Sequence, residues 1–407
     1  MRFGKYVAWL LLVPLTSCAA QGAGSETSTV SSGDAHEATG KADSANSSDA
    51  SPEGCAVLRL ANELDKDTLD ESVAEGGVGL RSTAAEAIVK YRRGKDRKEG
   101  TADDRPIRSE QELEGISGVG PSSTDALRAY AQKNDEVRTP LRVATFNLRW
   151  FGRNGYSSNP LGSETRTASI RSVLTRDLAD RDVIAFQEVS DFQLFLSEVI
   201  PSGWDCSTHG SPTSGTQRVV LCLRDRYVLE PEPFDSDTIY EPLGAGWLRP
   251  GIHGVIYDRD TDRQVAHIIA VHLKADAQAS DRRLEQADIL VDWFKSVRKH
   301  SGKLPIIALG DFNTHRAYLT NLDDDEWNLF DSIFAEKGVR LYDHPFENTY
   351  MGKATFYRLD HLFRSEEVCI AGARQDGPCN LSPSSAKVQS FSSRVSDHCP
   401  LSVDLDL

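Results

Sequence analysis

Six strand-like apolar runs in this chain each end on a polar side chain that the run itself does not need. Asn147 stands in VATFNLRW, Glu188 in VIAFQEV and His272 in HIIAVHLKA. The run Leu304 to Leu309 leads into Gly310-Asp311-Phe312-Asn313, Asp360 stands in RLDHLF, and Ser396-Asp397-His398 precedes the run Leu401 to Leu405. Short apolar runs bounded by turn residues read as buried strands. One acid or amide at a strand end is ordinarily a turn residue or a cap. Six ends delivering Asn, Glu, His, Asp with Asn, Asp, and Asp with His are hard to explain as capping.

GDFN at 310–313 and SDH at 396–398, taken with the other four words and their order, resemble the endonuclease/exonuclease/phosphatase superfamily over about residues 141–407. The resemblance implies an α/β (α+β) four-layer sandwich: two packed mixed β-sheets flanked by helices. It also implies metal-dependent cleavage of a phosphoester bond. Water attack on an anionic phosphodiester needs a hard divalent cation, a base for the water and an acid for the leaving oxygen. Carried over word by word, Glu188, Asn147 and Asp397 are the expected ligands of Mg²⁺ or Mn²⁺. His398 is the expected general base, oriented by Asp360. His272 is expected to stabilise the phosphoryl oxygens or protonate the leaving group, and Asp311 and Asn313 to orient nucleophile and phosphate. His361 is a supporting neighbour in the same word as Asp360. Arg249 in WLRPGIHGVIY and Lys274 are candidate phosphate-binding cations.

At 407 residues the chain has room for more than one domain. Residues 1–17 combine Arg2 and Lys5 with the apolar run Val7 to Leu15, an export signal too short to span a bilayer as a mature helix. Leu15-Thr16-Ser17-Cys18 resembles a bacterial lipoprotein signal, which implies lipid on Cys18. An ordinary cleaved signal with an incidental cysteine is the alternative. Ala19 after the cysteine implies the outer membrane in a two-membraned bacterium. The lipid would then be the only membrane contact. Residues 18–54 are built of small and acidic residues with no aromatic, which predicts a flexible tether.

Residues 55–138 change to helical periodicity interrupted by two glycine hairpins, Gly77-Val78-Gly79 and Gly118-Val119-Gly120. Each stands between a short acidic helix and an Ala-rich one, an arrangement that resembles a duplicated helix-hairpin-helix unit. The resemblance implies that backbone amides at Gly77, Gly79, Gly118 and Gly120 meet nucleic-acid phosphates. The basic run 90–95 would add charge. A protein-binding or structural unit is the alternative. The acidic loop 96–104 is a candidate Ca²⁺ holder, against the reading of a solvated loop.

Six cysteines besides Cys18 suggest disulfides in an exported chain. Cys369 with Cys379, flanking a Gly/Pro loop, is the expected pair. Cys206 with Cys222 could bridge adjacent strands, and Cys399 reads as a buried free thiol.

The net charge of −15 argues against holding nucleic acid by bulk electrostatics, but leaves room for an enzyme that meets a polyanion through metal ions and a local basic groove. The leading expectation for 139–407 is a monomeric nuclease that hydrolyses DNA or RNA with little sequence specificity. One rival is a phosphodiesterase or phosphatase acting on lipid head groups or small phosphoesters. Another is a non-catalytic surface binding protein.

Overall fold

The computed structural model describes residues 50–99, 101, 103–153, 163–209, 217–234, 243, 248–302, 304–314, 330–352 and 356–407. Residues 1–49, with Cys18, lie outside them. The described residues all belong to one compact unit.

Two six-stranded sheets carry the fold. The first has the order β13-β14-β1-β2-β4-β3, from β1 (Leu141–Phe151), β2 (Val183–Val189), β3 (Trp204–Ser207), β4 (Arg218–Arg224), β13 (Cys369–Gln375) and β14 (Leu401–Asp406). The second runs β5-β6-β7-β8-β12-β9, from β5 (Tyr227–Glu230), β6 (Ile252–Asp258), β7 (Arg263–His272), β8 (Ile306–Asp311), β9 (Val339–Leu341) and β12 (Asp360–Ser365). Both are mixed: β1 and β2 are parallel in one, β7 and β8 in the other. A small hairpin of β10 (Tyr350–Met351) and β11 (Phe356–Tyr357) completes the strands.

Side-chain alternation sorts each strand between two layers. Val143, Val183, Ile268, Ile307, Leu309, Leu362 and Val403 interdigitate between the sheets. On the outer face of the first sheet, Ala144, Phe146, Ile184 and Phe186 pack with Ile170, Val173 and Leu174 of the helix Ser163–Arg176. On the outer face of the second, Ile269, Val271 and Ala308 pack with Leu290, Trp293 and Phe294 of the helix Ser280–Ser301. The result is the expected four-layer sandwich.

The N-terminal helices are α1 (Pro52–Glu63), α2 (Lys66–Asp70), α3 (Ser82–Arg92), α4 (Glu110–Glu114) and α5 (Pro121–Lys133). Ser51, Asp65 and Ser109 cap α1, α2 and α4 through side-chain oxygens, and proline opens α1 and α5. Leu58, Leu69, Ile88, Leu113 and Leu127 form their own core. This helical unit docks on the β13 edge, with α1 against β13 and β14. A disulfide joins Cys55 to Cys369, the Ala50 N–H donates to the Ile370 carbonyl at 3.0 Å, and Arg108 pairs with Glu366 at 3.1 Å. These contacts lie where Cys369 and Asp406 are register partners, near Leu141, the start of β1.

The cysteine pairing differs from the expectation. Cys369 bonds to Cys55 rather than Cys379, and Cys379 bonds to Cys399, which is therefore no free thiol. Cys206 and Cys222 do bridge adjacent strands, as direct register partners on β3 and β4.

The two glycine hairpins also differ from each other. The Gly77 and Gly79 N–H groups donate to the Ser72 and Glu71 carbonyls at 3.1 and 2.8 Å, so the first hairpin spends these donors internally. In the second, Gly118 takes φ +90, and among the described residues no backbone carbonyl accepts from the Gly118 or Gly120 amide. In the acidic loop, Asp103 accepts from the Lys95 and Asp96 amides, so its carboxylate is used to close the turn.

Candidate active site

The inward-facing row of each strand ends on one of the sequence-predicted residues. On β1, Val143 and Thr145 lead to Asn147. On β7, Ile268 and Ala270 lead to His272, and on β8, Ile307 and Leu309 lead to Asp311. On β12, Asp360 precedes Leu362 by the same period, and Asp360 and Asp311 are cross-strand partners. Alternation alone therefore projects four polar groups into the space between the sheets at one pole of the sandwich.

Glu188 breaks that rule. Its neighbours on the same parity, Ile184 and Phe186, face the helix layer. The pairing of β2 with β4 shifts register between Phe186 and Val189, and Glu188 takes φ +61. A bulge with a left-handed residue re-aims its side chain toward the other carboxylates. The Trp150 N–H donates to Glu188 Oε2 at 2.8 Å and fixes it.

Gly310 in GDFN has a comparable geometric reason. At φ +144 a Cβ there would meet the Val271 carbonyl oxygen at 2.1 Å, so only glycine lets β8 approach β7 this closely before Asp311.

At the centre, Asn147 Nδ2 donates to Asp311 Oδ2 at 2.9 Å and stands 3.4 Å from Glu188 Oε1. His272 Nε2 lies 3.6 Å from Asp311 Oδ2 and 3.8 Å from Glu188 Oε1. His398 Nε2 lies 3.8 Å from Asp311 Oδ2, while its Nδ1 meets Asp360 Oδ2 at 2.8 Å. Thr349 Oγ1 accepts from the Leu359 and Asp360 amides, which holds Asp360 beneath the imidazole. Asn313, at φ +52, donates to the Leu273 carbonyl at 3.1 Å, and its own amide caps Asp311 at 2.9 Å. Arg249 donates to the same Leu273 carbonyl at 3.0 Å.

Two expected residues stand apart. Asp397 pairs with Arg149 Nε at 3.1 Å rather than with the central carboxylates. Lys274 donates its amine to the Ala275 carbonyl, and no hydrogen bond or ion pair among the described residues joins it to the cluster. His361 contacts the Thr314 carbonyl from a buried position.

Charge is crowded here. Burial, then Asp397, pushes Glu188 above its ordinary range. Burial also pushes Asp311 up, with Asp360 adding to it. Burial opposes a charge on His398, but Asp360, Asp311 and Asp397 outweigh it and hold the imidazole well above its ordinary pKa. Burial, with Arg249 and His398 nearby, keeps His272 far below its own. The two settings therefore push the histidines in opposite directions, and the carboxylates that hold the His398 proton are those a bound cation would neutralise.

Carboxylates held up by burial and by each other are groups that a divalent cation would relieve. Asp360 Oδ1 is buried with no hydrogen-bond partner among the described residues. Asp311, Asp360 and His398 offer ligand atoms within 4.8 Å of one another. The imidazole in that trio suits softer metals, and its Nδ1 is already engaged by Asp360. Of the expected ligands, Glu188 offers carboxylate oxygens suited to a hard divalent ion, whereas Asn147 faces it through Nδ2 and Asp397 is paired with Arg149.

Several contributors were not visible in the sequence. Arg166, buried in the helix layer, donates to the Leu148 and Arg149 carbonyls at 2.7 and 3.0 Å and to that of Val395. It props the turn in which Arg149 and Trp150 take φ +44 and +52. Ser396 Oγ donates to the Asn147 carbonyl at 2.6 Å and ties the SDH word to β1. The Tyr350 ring packs on His398, with centroids 4.9 Å apart. Only Ser396, inside its word, carried a local signal.

The model of the Endonuclease/Exonuclease/phosphatase family matches residues 144–398, more than half of the chain. The chain belongs to this family. Its members are divalent-metal-dependent phosphoester hydrolases. No curated protein matches the chain. Among solved structures, the human Nocturnin catalytic domain, which holds a sulfate anion, is 19% identical, covering 66% of this chain and 95% of that one at a TM-score of 0.46. A Bacteroides thetaiotaomicron mannosyl-6-phosphatase is also 19% identical, covering 66% and 100% at 0.45. TDP2 from Caenorhabditis elegans is 14% identical, covering 92% and 99% at 0.46.

Proposed function

We propose that this family member is a Mg²⁺- or Mn²⁺-dependent phosphodiesterase that hydrolyses nucleic acid, DNA or RNA, with little sequence specificity. The observation that carries the reading is the convergence of Asn147, Glu188, His272, Asp311, Asp360 and His398 at one pole, from strands of both sheets. With Nδ1 committed to Asp360, His398 presents Nε2 toward Asp311. With the neighbouring carboxylates neutralised by the metal, a water held between these two would give its proton to the deprotonated Nε2 as it attacks phosphorus, and Asp360 would stabilise the imidazolium formed. Neutral His272 and Arg249 would meet the developing charge on the phosphoryl oxygens, and Asn313 would orient the phosphate. Glu188, Asn147 and Asp397 would hold the metal, which supplies charge neutralisation at the phosphoryl and leaving oxygens.

The second hairpin, where Gly118 is exposed, supports a helical unit that adds phosphate contacts. Cys18 would carry the lipid that anchors an exported monomer, and three disulfides suit an oxidising compartment. Among the described residues no helix is long and apolar enough to cross a membrane. Replacing Cys18 with Ala should move the protein from the membrane fraction to the soluble one.

A second reading, hydrolysis of lipid head groups or small phosphoesters, draws support from the net charge of −15 and from the docking of the helical unit at the opposite end of the first sheet. Incubation of the purified protein with plasmid, single-stranded DNA and RNA in Mg²⁺ separates the two. Cleavage of any of these supports the nuclease. Turnover of lipid or sugar phosphates alone would replace it with the second reading.

A further inference from the structure

Beside the catalytic cluster lies a pocket of about 330 Å³ that none of the roles above uses. Its floor forms where the chain beyond β1 touches the chain beyond β2. Gly152, at φ +85, lies so close to Asp191 that a Cβ would stand 2.3 Å from the Asp191 Cβ. The Ser190 N–H donates to the Phe151 carbonyl at 2.7 Å and locks the two segments together.

Two guanidinium groups line this space. Arg218, at the start of β4, donates Nη1 to the Ser190 carbonyl at 3.3 Å, which leaves most of its five donors for a ligand. Arg153 is held over the Trp150 ring at 4.8 Å. Ser190 adds a buried hydroxyl with no hydrogen-bond partner among the described residues, and Gln193 adds an amide. Asp191, the acid among the described lining residues, is turned to cap the Leu194 amide at 3.0 Å. Two cations, a free hydroxyl and an amide around a cavity in an acidic protein form a receptor for an anion.

The pocket and the reaction centre share a wall. Ser190 follows Glu188 by two residues, which keeps their Cα atoms within about 7 Å of each other. Trp150, which carries Arg153 on its ring, also donates its N–H to Glu188.

Resting on the phosphodiesterase reading, we propose that Arg218 and Arg153 form a second anion subsite, which takes a phosphate neighbouring the one under attack. The preferred substrate is then a phosphodiester that bears a further phosphate, rather than a single isolated phosphoester. That phosphate is either the next link of a strand or a free terminal group.

The test uses the full chain with Mg²⁺ and three thymidine substrates: a plain dinucleotide, the dinucleotide with a terminal phosphate, and a trinucleotide whose second phosphate is an internal link. The wild type should favour one or both phosphate-bearing substrates over the plain dinucleotide by about tenfold or more in kcat/KM, the scale of a lost charged hydrogen bond. Arg218→Gln and Arg153→Gln should each erode that ratio, chiefly through KM. Which of the two substrates is favoured identifies the source of the phosphate. No preference in the wild type, or a preference intact in both variants, overturns the subsite. If the wild type cleaves none of the three, the plasmid, single-stranded DNA and RNA assay decides the nuclease reading separately, and calorimetric titration with the same compounds decides the subsite. An affinity gain from the extra phosphate that falls about tenfold in Arg218→Gln upholds it; equal affinities in all three proteins overturn it.

Discussion

Asp360 belongs to one sheet and His398 to the approach to the other, yet their side chains meet at 2.8 Å. The contact fixes which imidazole nitrogen is left for chemistry. Asp360→Asn keeps the shape but offers a neutral partner and permits the wrong tautomer. It should lower kcat by on the order of a hundredfold or more with little change in KM, and steady-state kinetics on a phosphodiester would measure both.

Glu188 is the carboxylate whose backbone must be strained to reach the cluster. Glu188→Gln removes charge without volume, so turnover should drop by about a hundredfold and the Mg²⁺ concentration for half-activation should rise. Chelation should abolish activity in the wild type, and Mg²⁺ or Mn²⁺ should restore it. Titrating metal against rate in both proteins checks the point, and an unchanged metal requirement would remove Glu188 from the ligand set.

Away from the site, His267 Nδ1 meets the buried Glu232 carboxylate at 2.8 Å. Burial works to raise the Glu232 pKa, but the nearby His253 imidazole and the hydrogen bond with His267 outweigh it and hold the carboxyl below its ordinary 4.5. A depressed folded-state pKa means that the unfolded chain binds more protons in this range. The stabilisation is present above the ordinary value and is lost as pH falls through the folded one. Glu232→Gln should therefore cost most near neutrality, and its melting curve should approach that of the wild type only as pH falls below the ordinary carboxylate range.

The Cys55–Cys369 disulfide closes a loop with a sequence separation of 314. Replacing both cysteines with Ala should reduce stability by on the order of 5 kcal/mol in the chain-entropy account, read from the denaturant midpoint. The helical unit should then become the first segment cut in limited proteolysis. A midpoint shift below about 1 kcal/mol would mean that the packing of α1 on β13 holds the unit without the bond.

Much of the site was legible because alternation is local. Once Val143 is inward, Thr145 and Asn147 must be too, and the same parity carries His272 and Asp311 to the same pole. Glu188 was identified by its word, although parity alone would have sent it to the helix layer. The bulge that rescues it depends on the mismatch of β2 with β4, which no single segment encodes. The pairing of Asp397 with Arg149, and the buried support from Arg166, arise between residues far apart in the chain. The cysteines failed for the same reason. Cys206 and Cys222 are opposite one another across a hairpin, whereas the partner of Cys369 arrives with a helix from the other end of the chain.

The attachment of that helix has a mechanical consequence. The Ala50 amide and Cys55 join the body at Ile370 and Cys369, on the pole opposite the catalytic mouth. A pull on the chain before Ala50 is therefore borne by a covalent bond into β13. It leaves the strand ends that hold Asn147, Glu188 and Asp311 out of the line of force, and it turns the mouth away from whatever is pulling.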